Sequence, residues 1–129
     1  KESLLVGFFL AGLVTLGSVQ QWWLQEVLTK MGSLALFYGS AALTAITDNA
    51  ALTYLGSLVD LTDSSKYYLV AGAVAGGGLT VIANAPNPAG FGILKSSFGE
   101  AGINPGKLLL GALAPTIVCL LCFQFLPSL

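Results

Sequence analysis

Ala45-Ile46-Thr47-Asp48-Asn49-Ala50-Ala51-Leu52-Thr53 sets an aspartate and an asparagine inside apolar sequence, for Leu34 to Leu43 and Ala50 to Val59 are apolar or small almost throughout. A charged side chain at the centre of a bilayer costs roughly 2.5–3.5 kcal/mol on the most lenient insertion scale. A chain carries that cost where the carboxylate faces a wet cavity, a partner or a bound ion. Asp48 is the only Asp, Glu, Lys or Arg between Lys30 and Asp60, so neither flank supplies a cation to neutralise it. A second polar island, Thr80-Val81-Ile82-Ala83-Asn84-Ala85-Pro86-Asn87-Pro88, interrupts the next apolar stretch in the same way. The two islands are expected to meet at mid-membrane.

Composition points to the same setting. Hydrophobic residues make up 55% of the chain and charged residues 9%, and mean hydropathy is +0.83. A soluble domain carries about 25% charged residues, so this chain lacks the polar surface to coat a water-facing globule. The expected class is all-α and integral to a membrane, with several spans and the lipid bilayer as its first partner. Net charge is -1, without a basic cluster, and nothing suggests a nucleic-acid partner. The chain has no histidine, which removes the usual metal ligand and the usual proton carrier near neutral pH. Cys119 and Cys122 lie within the apolar run Leu108–Leu126 and are expected to be two small apolar residues on one helix face. No nucleophile–base pair or metal set argues for an enzyme, and no cofactor is expected.

Taken in order, residues 3–20 read as a first span, with Gly7, Gly12 and Gly17 giving it small-residue faces. Trp22-Trp23 belongs to an interfacial aromatic belt. Residues 21–31 read as a surface helix, with Glu26 and Lys30 spaced to pair one turn apart. The segment 32–60 divides into two arms of about 10–14 residues, each short of a crossing. It therefore reads as a re-entrant hairpin with its polar tip at Thr47-Asp48-Asn49. The competing picture is a single tilted span with a buried aspartate. Residues 66–98 read as a broken helix: Gly72 and Gly76 allow close helix contact, Gly76-Gly77-Gly78 weakens the helix, and Pro86 and Pro88 stop it re-forming. Residues 106–126 form the final span, ended by Pro127. The chain begins Lys1-Glu2 without a signal-peptide layout and reads as part of something longer.

Backbone that unwinds at membrane depth is tolerated where it is buried in protein or lines a cavity. Broken helices of transporters use such openings to hold ions. The breaks here carry Thr47, Asp48, Asn49, Thr80, Asn84 and Asn87, whose carboxylate, amide and hydroxyl oxygens suit an alkali cation or a proton better than a soft metal. Their bland role is to satisfy backbone groups left open at the breaks. Asp48 alone among them could exchange a proton for a cation.

Leu43-Thr44-Ala45-Ile46-Thr47-Asp48-Asn49 resembles the S/T-A-x-x-D-N hairpin signature of the ion transporter superfamily. Gly76-Gly77-Gly78-Leu79-Thr80-Val81-Ile82-Ala83-Asn84-Ala85-Pro86-Asn87-Pro88 is similar to the G-G-x-x-T-x-I-G-x-x-x-N stretch that follows it there, departing from it at Ala83. That superfamily includes sodium/proton antiporters, arsenite efflux permeases and, more distantly, dicarboxylate and citrate carriers, and the second stretch is worded most like the antiporters. The resemblance implies the C-terminal half of an inverted-repeat transporter, a multi-pass protein of the cell (inner) membrane. It implies Na⁺ and H⁺ as transported ions and makes the six residues named above half of their site. The other half would come from a missing N-terminal repeat or, in a homodimer, from a second copy. The alternative within the superfamily is an anion or metalloid carrier, arsenite- or dicarboxylate-like. The chain contains no arginine, and no lysine near either break. An anion site usually recruits one, which favours the cation.

Overall fold

A computed structural model describes residues 2–99 and 102–126. Lys1 and Pro127, assigned above to the chain start and the stop of the last span, lie outside the described residues. Within them every regular element is helical. The helices are α1 (Glu2–Gly17), α2 (Gln21–Leu28), α3 (Ser33–Thr44), α4 (Asn49–Ser57), α5 (Asp63–Gly76), α6 (Asn87–Leu94) and α7 (Pro105–Phe125).

The first span and the proposed surface helix are one helical run. A single 3₁₀ turn, Ser18–Gln20, joins α1 to α2, and the residues flanking it keep right-handed helical angles. Leu4–Leu28 is thus a 25-residue stretch with mean hydropathy 1.6, and α7 is a 21-residue stretch with mean hydropathy 2.2. Both are long and apolar enough to cross a membrane. Only 6% of each apolar window is buried within the chain, so their side chains must be covered by hydrocarbon or by more protein.

α3 and α5 form the packed centre, and small residues bring them together. A side chain at Gly72 would place its Cβ 2.1 Å from the Phe37 carbonyl oxygen, and one at Gly76 would lie 2.4 Å from that of Ala41. Ala71, Ala73 and Ala75 are also buried on α5, and Leu36, Phe37, Ser40, Ala41 and Thr44 are buried on α3. The contacts Phe37–Gly72, Ala41–Gly76 and Ala45–Thr80 step along both chains together, each pair 35 residues apart. The two helices are therefore parallel and in register.

α4 runs the other way. Leu36, near the start of α3, and Val59, just past the end of α4, belong to one hydrophobic cluster with Leu24, Leu61 and Leu69. The chain thus leaves this cluster along α3, turns at 45–48 and returns along α4. The Gln25 side chain fastens the same end. Its Oε1 accepts from the Asp60 N–H at 3.0 Å and its Nε2 donates to the Asp60 carbonyl at 3.4 Å. Glu26 and Lys30 pair at 2.6 Å on the adjoining surface. At this end α7 is tied back by two tyrosines. The Tyr67 hydroxyl donates to the Phe123 carbonyl at 2.8 Å, and the Tyr38 hydroxyl donates to Gln124 Oε1.

Side-chain caps set where the chain changes course. Thr62 caps α5, Asp48 caps α4 and Asn104 caps α7, each accepting backbone N–H groups of the first turn. Pro105 follows Asn104 in the first turn of α7, where its missing N–H costs nothing.

Candidate ion site where the two polar segments meet

α3 ends at Thr44, the chain turns through 45–47, and Asp48 is extended, with φ -105° and ψ 138°. Its carboxylate folds over the start of α4, and Oδ1 accepts the Ala50 and Ala51 N–H groups at 2.8 and 3.1 Å. Among the described residues no partner engages Oδ2. Asn49 opens α4, and its N–H donates to the Ala83 carbonyl at 3.1 Å. This bond crosses from the first polar segment to the second.

A second cross-bond runs the opposite way. Thr80 Oγ1 donates to the Ala45 carbonyl at 2.7 Å, an acceptor left open by the end of α3. Between α5 and α6 the chain passes through turns from Gly77 to Pro86 rather than helix. Asn87, first residue of α6, holds this break in shape. Its Nδ2 donates to the Gly77 and Thr80 carbonyls at 2.8 and 2.9 Å. Gly77 lies close to this junction, for a Cβ there would come 3.1 Å from Asn49 Nδ2.

The six residues singled out from the sequence therefore do different things. Asn49 and Thr80 knit the turn to the break, while Asp48 caps α4 and Asn87 braces the break from within. Thr47 is exposed, and its hydroxyl donates back to the Leu43 carbonyl of α3 at 2.8 Å. Asn84 enters through its backbone, its carbonyl accepting the Asn87 N–H at 3.0 Å. The sequence reading named Gly77 as a helix breaker and Ala83 as a departure from the family stretch, and did not single out Ala45; their contributions here are a missing side chain and two carbonyls. Thr44 is a further omission. It is wholly buried at 0% exposure, and its hydroxyl is the one buried side-chain polar atom among the described residues with no hydrogen-bond partner.

Thr80 and Asn87 also line a pocket of about 270 Å³ on the far side of the break, with Gly78, Pro86, Phe91 and Leu108. A water occupies about 30 Å³ in the liquid, so the space admits several waters or a partly hydrated ion. Its wall is mostly apolar, and the polar atoms facing it come from the break.

The polar groups described here are carboxylate, amide, hydroxyl and carbonyl, with no thiol or imidazole among them. Cys119 and Cys122 sit far along α7 as free thiols. No curated protein and no solved structure matches the chain. A family model described as "Putative Na+/H+ antiporter" matches residues 1–126. On a match covering nearly its whole length, this chain belongs to that Na⁺/H⁺ antiporter family.

Proposed function

We propose that the chain supplies half of the ion site of a sodium/proton antiporter, with Asp48 alternately holding a proton and Na⁺. The observation that carries this reading is the pair of crossed bonds, Thr80 to Ala45 and Asn49 to Ala83. They hold a lone carboxylate against a stretch of unwound backbone rich in carbonyls, as a small hard cation requires. The absence of arginine weighs against the anion or metalloid alternative. In this reading α3 and α4 form a re-entrant hairpin, α5 and α6 are the halves of one broken span, and a second repeat or a second copy completes the site in an inner membrane.

The test is transport by the full-length protein in proteoliposomes loaded with a pH-sensitive dye. An inward Na⁺ gradient should drive proton efflux, whereas arsenite or a dicarboxylate should move no protons. Proton movement driven by the anions and not by Na⁺ would transfer the site to the alternative.

The re-entrant arrangement has its own test. Lys30 and Lys66 flank the cluster end of the chain, while Lys95 and Lys107 lie beyond the break. A cysteine at Ser64 and one at Ser96, placed singly after Cys119 and Cys122 are replaced, should fall on opposite faces of the membrane. Lys1, which precedes the first span in sequence, joins Lys95 and Lys107 in this topology, and the bias of three lysines against two puts Ser96 in the cytoplasm. An impermeant maleimide on intact cells should label position 64 and spare position 96. Equal labelling of both, or the reverse, overturns the arrangement.

A further inference from the structure

A second cavity, of about 290 Å³, lies between α2 and the arms α3 and α4. It runs beside α3 from Leu36 to Leu43, about 10 Å of helix at 1.5 Å per residue. Leu52 and Gly56 of α4 close its other side. Leu36 and Gly56 are buried, whereas Leu43 and the α2 residues Trp23 and Val27 are exposed. The slot is thus closed at its back and open along α2, on the surface that the apolar run Leu4–Leu28 leaves uncovered. The polar side-chain groups in its wall are already engaged. The Ser40 hydroxyl donates to the Leu36 carbonyl, and the Trp23 indole N–H donates to Gln20 Oε1 at 2.6 Å. A water held in a cavity needs about two to four polar partners, and an apolar cavity of about 150 Å³ stays dry yet takes up benzene. This one is nearly twice that size and elongated, the shape of a hydrocarbon chain rather than of a ring.

The open side has one charged end. Trp23, Glu26 and Val27 share a face of α2, and Lys30 continues it just past the helix end. Glu26 and Lys30 pair at 2.6 Å with both side chains exposed. Met31, next to Lys30, lines the slot and packs against the cluster that contains Leu36, so the charged pair stands at the Leu36 end. A headgroup with a phosphate and an ammonium meets an opposite charge for each at such a pair, whereas a purely anionic one meets Glu26 as well as Lys30. We propose that the slot takes one acyl chain of a zwitterionic phospholipid, with the headgroup at Glu26 and Lys30 and the tail running along α3 towards Leu43. The lipid is then a wedge between α2 and the two arms that carry Asp48, whichever ion is transported.

The experiment places the full-length protein in bilayers containing a phosphatidylcholine with a diazirine midway along one acyl chain. After illumination, the labelled residues are located by mass spectrometry. Leu110 on α7 is exposed and should be labelled as any lipid-facing residue is. The informative residues are Leu36 and Leu69, which line the slot at 1% and 3% exposure and which a chain reaches only from inside it. Both should be labelled in the wild type. Gly39→Leu fills the slot, and a Cβ there lies an ordinary 3.7 Å from Met31 Cε, so the fold accommodates it. Labels on Leu36 and Leu69 should then vanish while that on Leu110 stays. Leu52→Phe fills the slot from the opposite arm and carries the comparison if Gly39→Leu does not fold. Label on Leu110 alone in the wild type, as when the rest of the transporter covers the mouth, overturns the proposal. Label on Leu36 that survives both substitutions overturns it as well. A phosphatidylglycerol and a free fatty acid with the same diazirine chain should label Leu36 less than the phosphatidylcholine does. Equal labelling by all three overturns the choice of a zwitterionic lipid.

Discussion

Asp48→Asn is expected to reduce Na⁺-driven proton exchange to the level of empty liposomes while leaving the fold intact. The two halves of that expectation have separate causes. Asp48 works as an N-cap through a single oxygen, Oδ1, which takes two N–H groups of α4. Asparagine ranks with aspartate as a cap and keeps that oxygen, whereas alanine would lose about 1 kcal/mol. The charge itself gains about 0.3–1 kcal/mol from the α4 N-terminus, and the easier burial of an amide offsets that loss. The net change in stability should therefore stay below about 1 kcal/mol, read as a small shift of Tm in detergent. What the amide cannot do is carry a proton out and a cation in. A cap alone would explain an Asp, Asn, Ser or Thr at this position equally well, so the variant separates the two roles of one side chain. Wild-type exchange in Asp48→Asn would reduce Asp48 to a cap.

The second large effect is expected at the α3–α5 seam. Gly72→Ala should destabilise the protein and uncouple the turn from the break. The new methyl would lie 2.1 Å from the Phe37 carbonyl oxygen and 3.0 Å from Ser40 Cβ. Alanine gains about 1 kcal/mol over glycine in helix propensity. Overpacking a tight core costs about 1–3 kcal/mol and sometimes more, and here the obstacle is backbone that cannot rotate aside. The clash wins, and α3 must move away from α5. Because the register continues from Phe37–Gly72 to Ala45–Thr80, that movement also stretches the Thr80 and Asn49 cross-bonds. Gly7→Ala is the reference, since nothing lies within 4 Å of its new methyl. Thermal unfolding in detergent should show a clear drop for Gly72→Ala and none for Gly7→Ala. Equal melting of the two would mean that the close approach contributes nothing to stability.

The helical class and the contact of the polar segments were legible because they depend on residue type. Composition rules out a water-facing globule, and hydroxyl, amide and carboxylate groups in apolar sequence need partners. The spacing of Gly72 and Gly76 marked the close approach before the structure located it on Phe37 and Ala41. The join between α1 and α2 was not legible: residues 3–20 and 21–31 read as two separate helices, yet the chain turns once as a 3₁₀ helix and carries on. The acceptors of the cross-bonds were hidden for a different reason. Ala45 and Ala83 act through carbonyls, which every residue possesses, so only the shared register of α3 and α5 can point to them. Thr47 looked equivalent to Thr80, yet one hydroxyl turns back onto its own helix and the other reaches across. Side-chain chemistry alone cannot separate those two outcomes.

The crossed segments also fix a balance of charge. Four helix ends come together there: α3 and α5 finish at Thr44 and Gly76, while α4 and α6 start at Asn49 and Asn87. Each finishing end carries about half a negative charge and each starting end about half a positive one. Two of each nearly cancel, so the backbone gives the junction directional fields but hardly any net sign. The sign comes from one ionised carboxylate. A junction built this way is negative when Asp48 is ionised and close to neutral when it is protonated. Proton binding would then withdraw the attraction for a cation without any helix having to move.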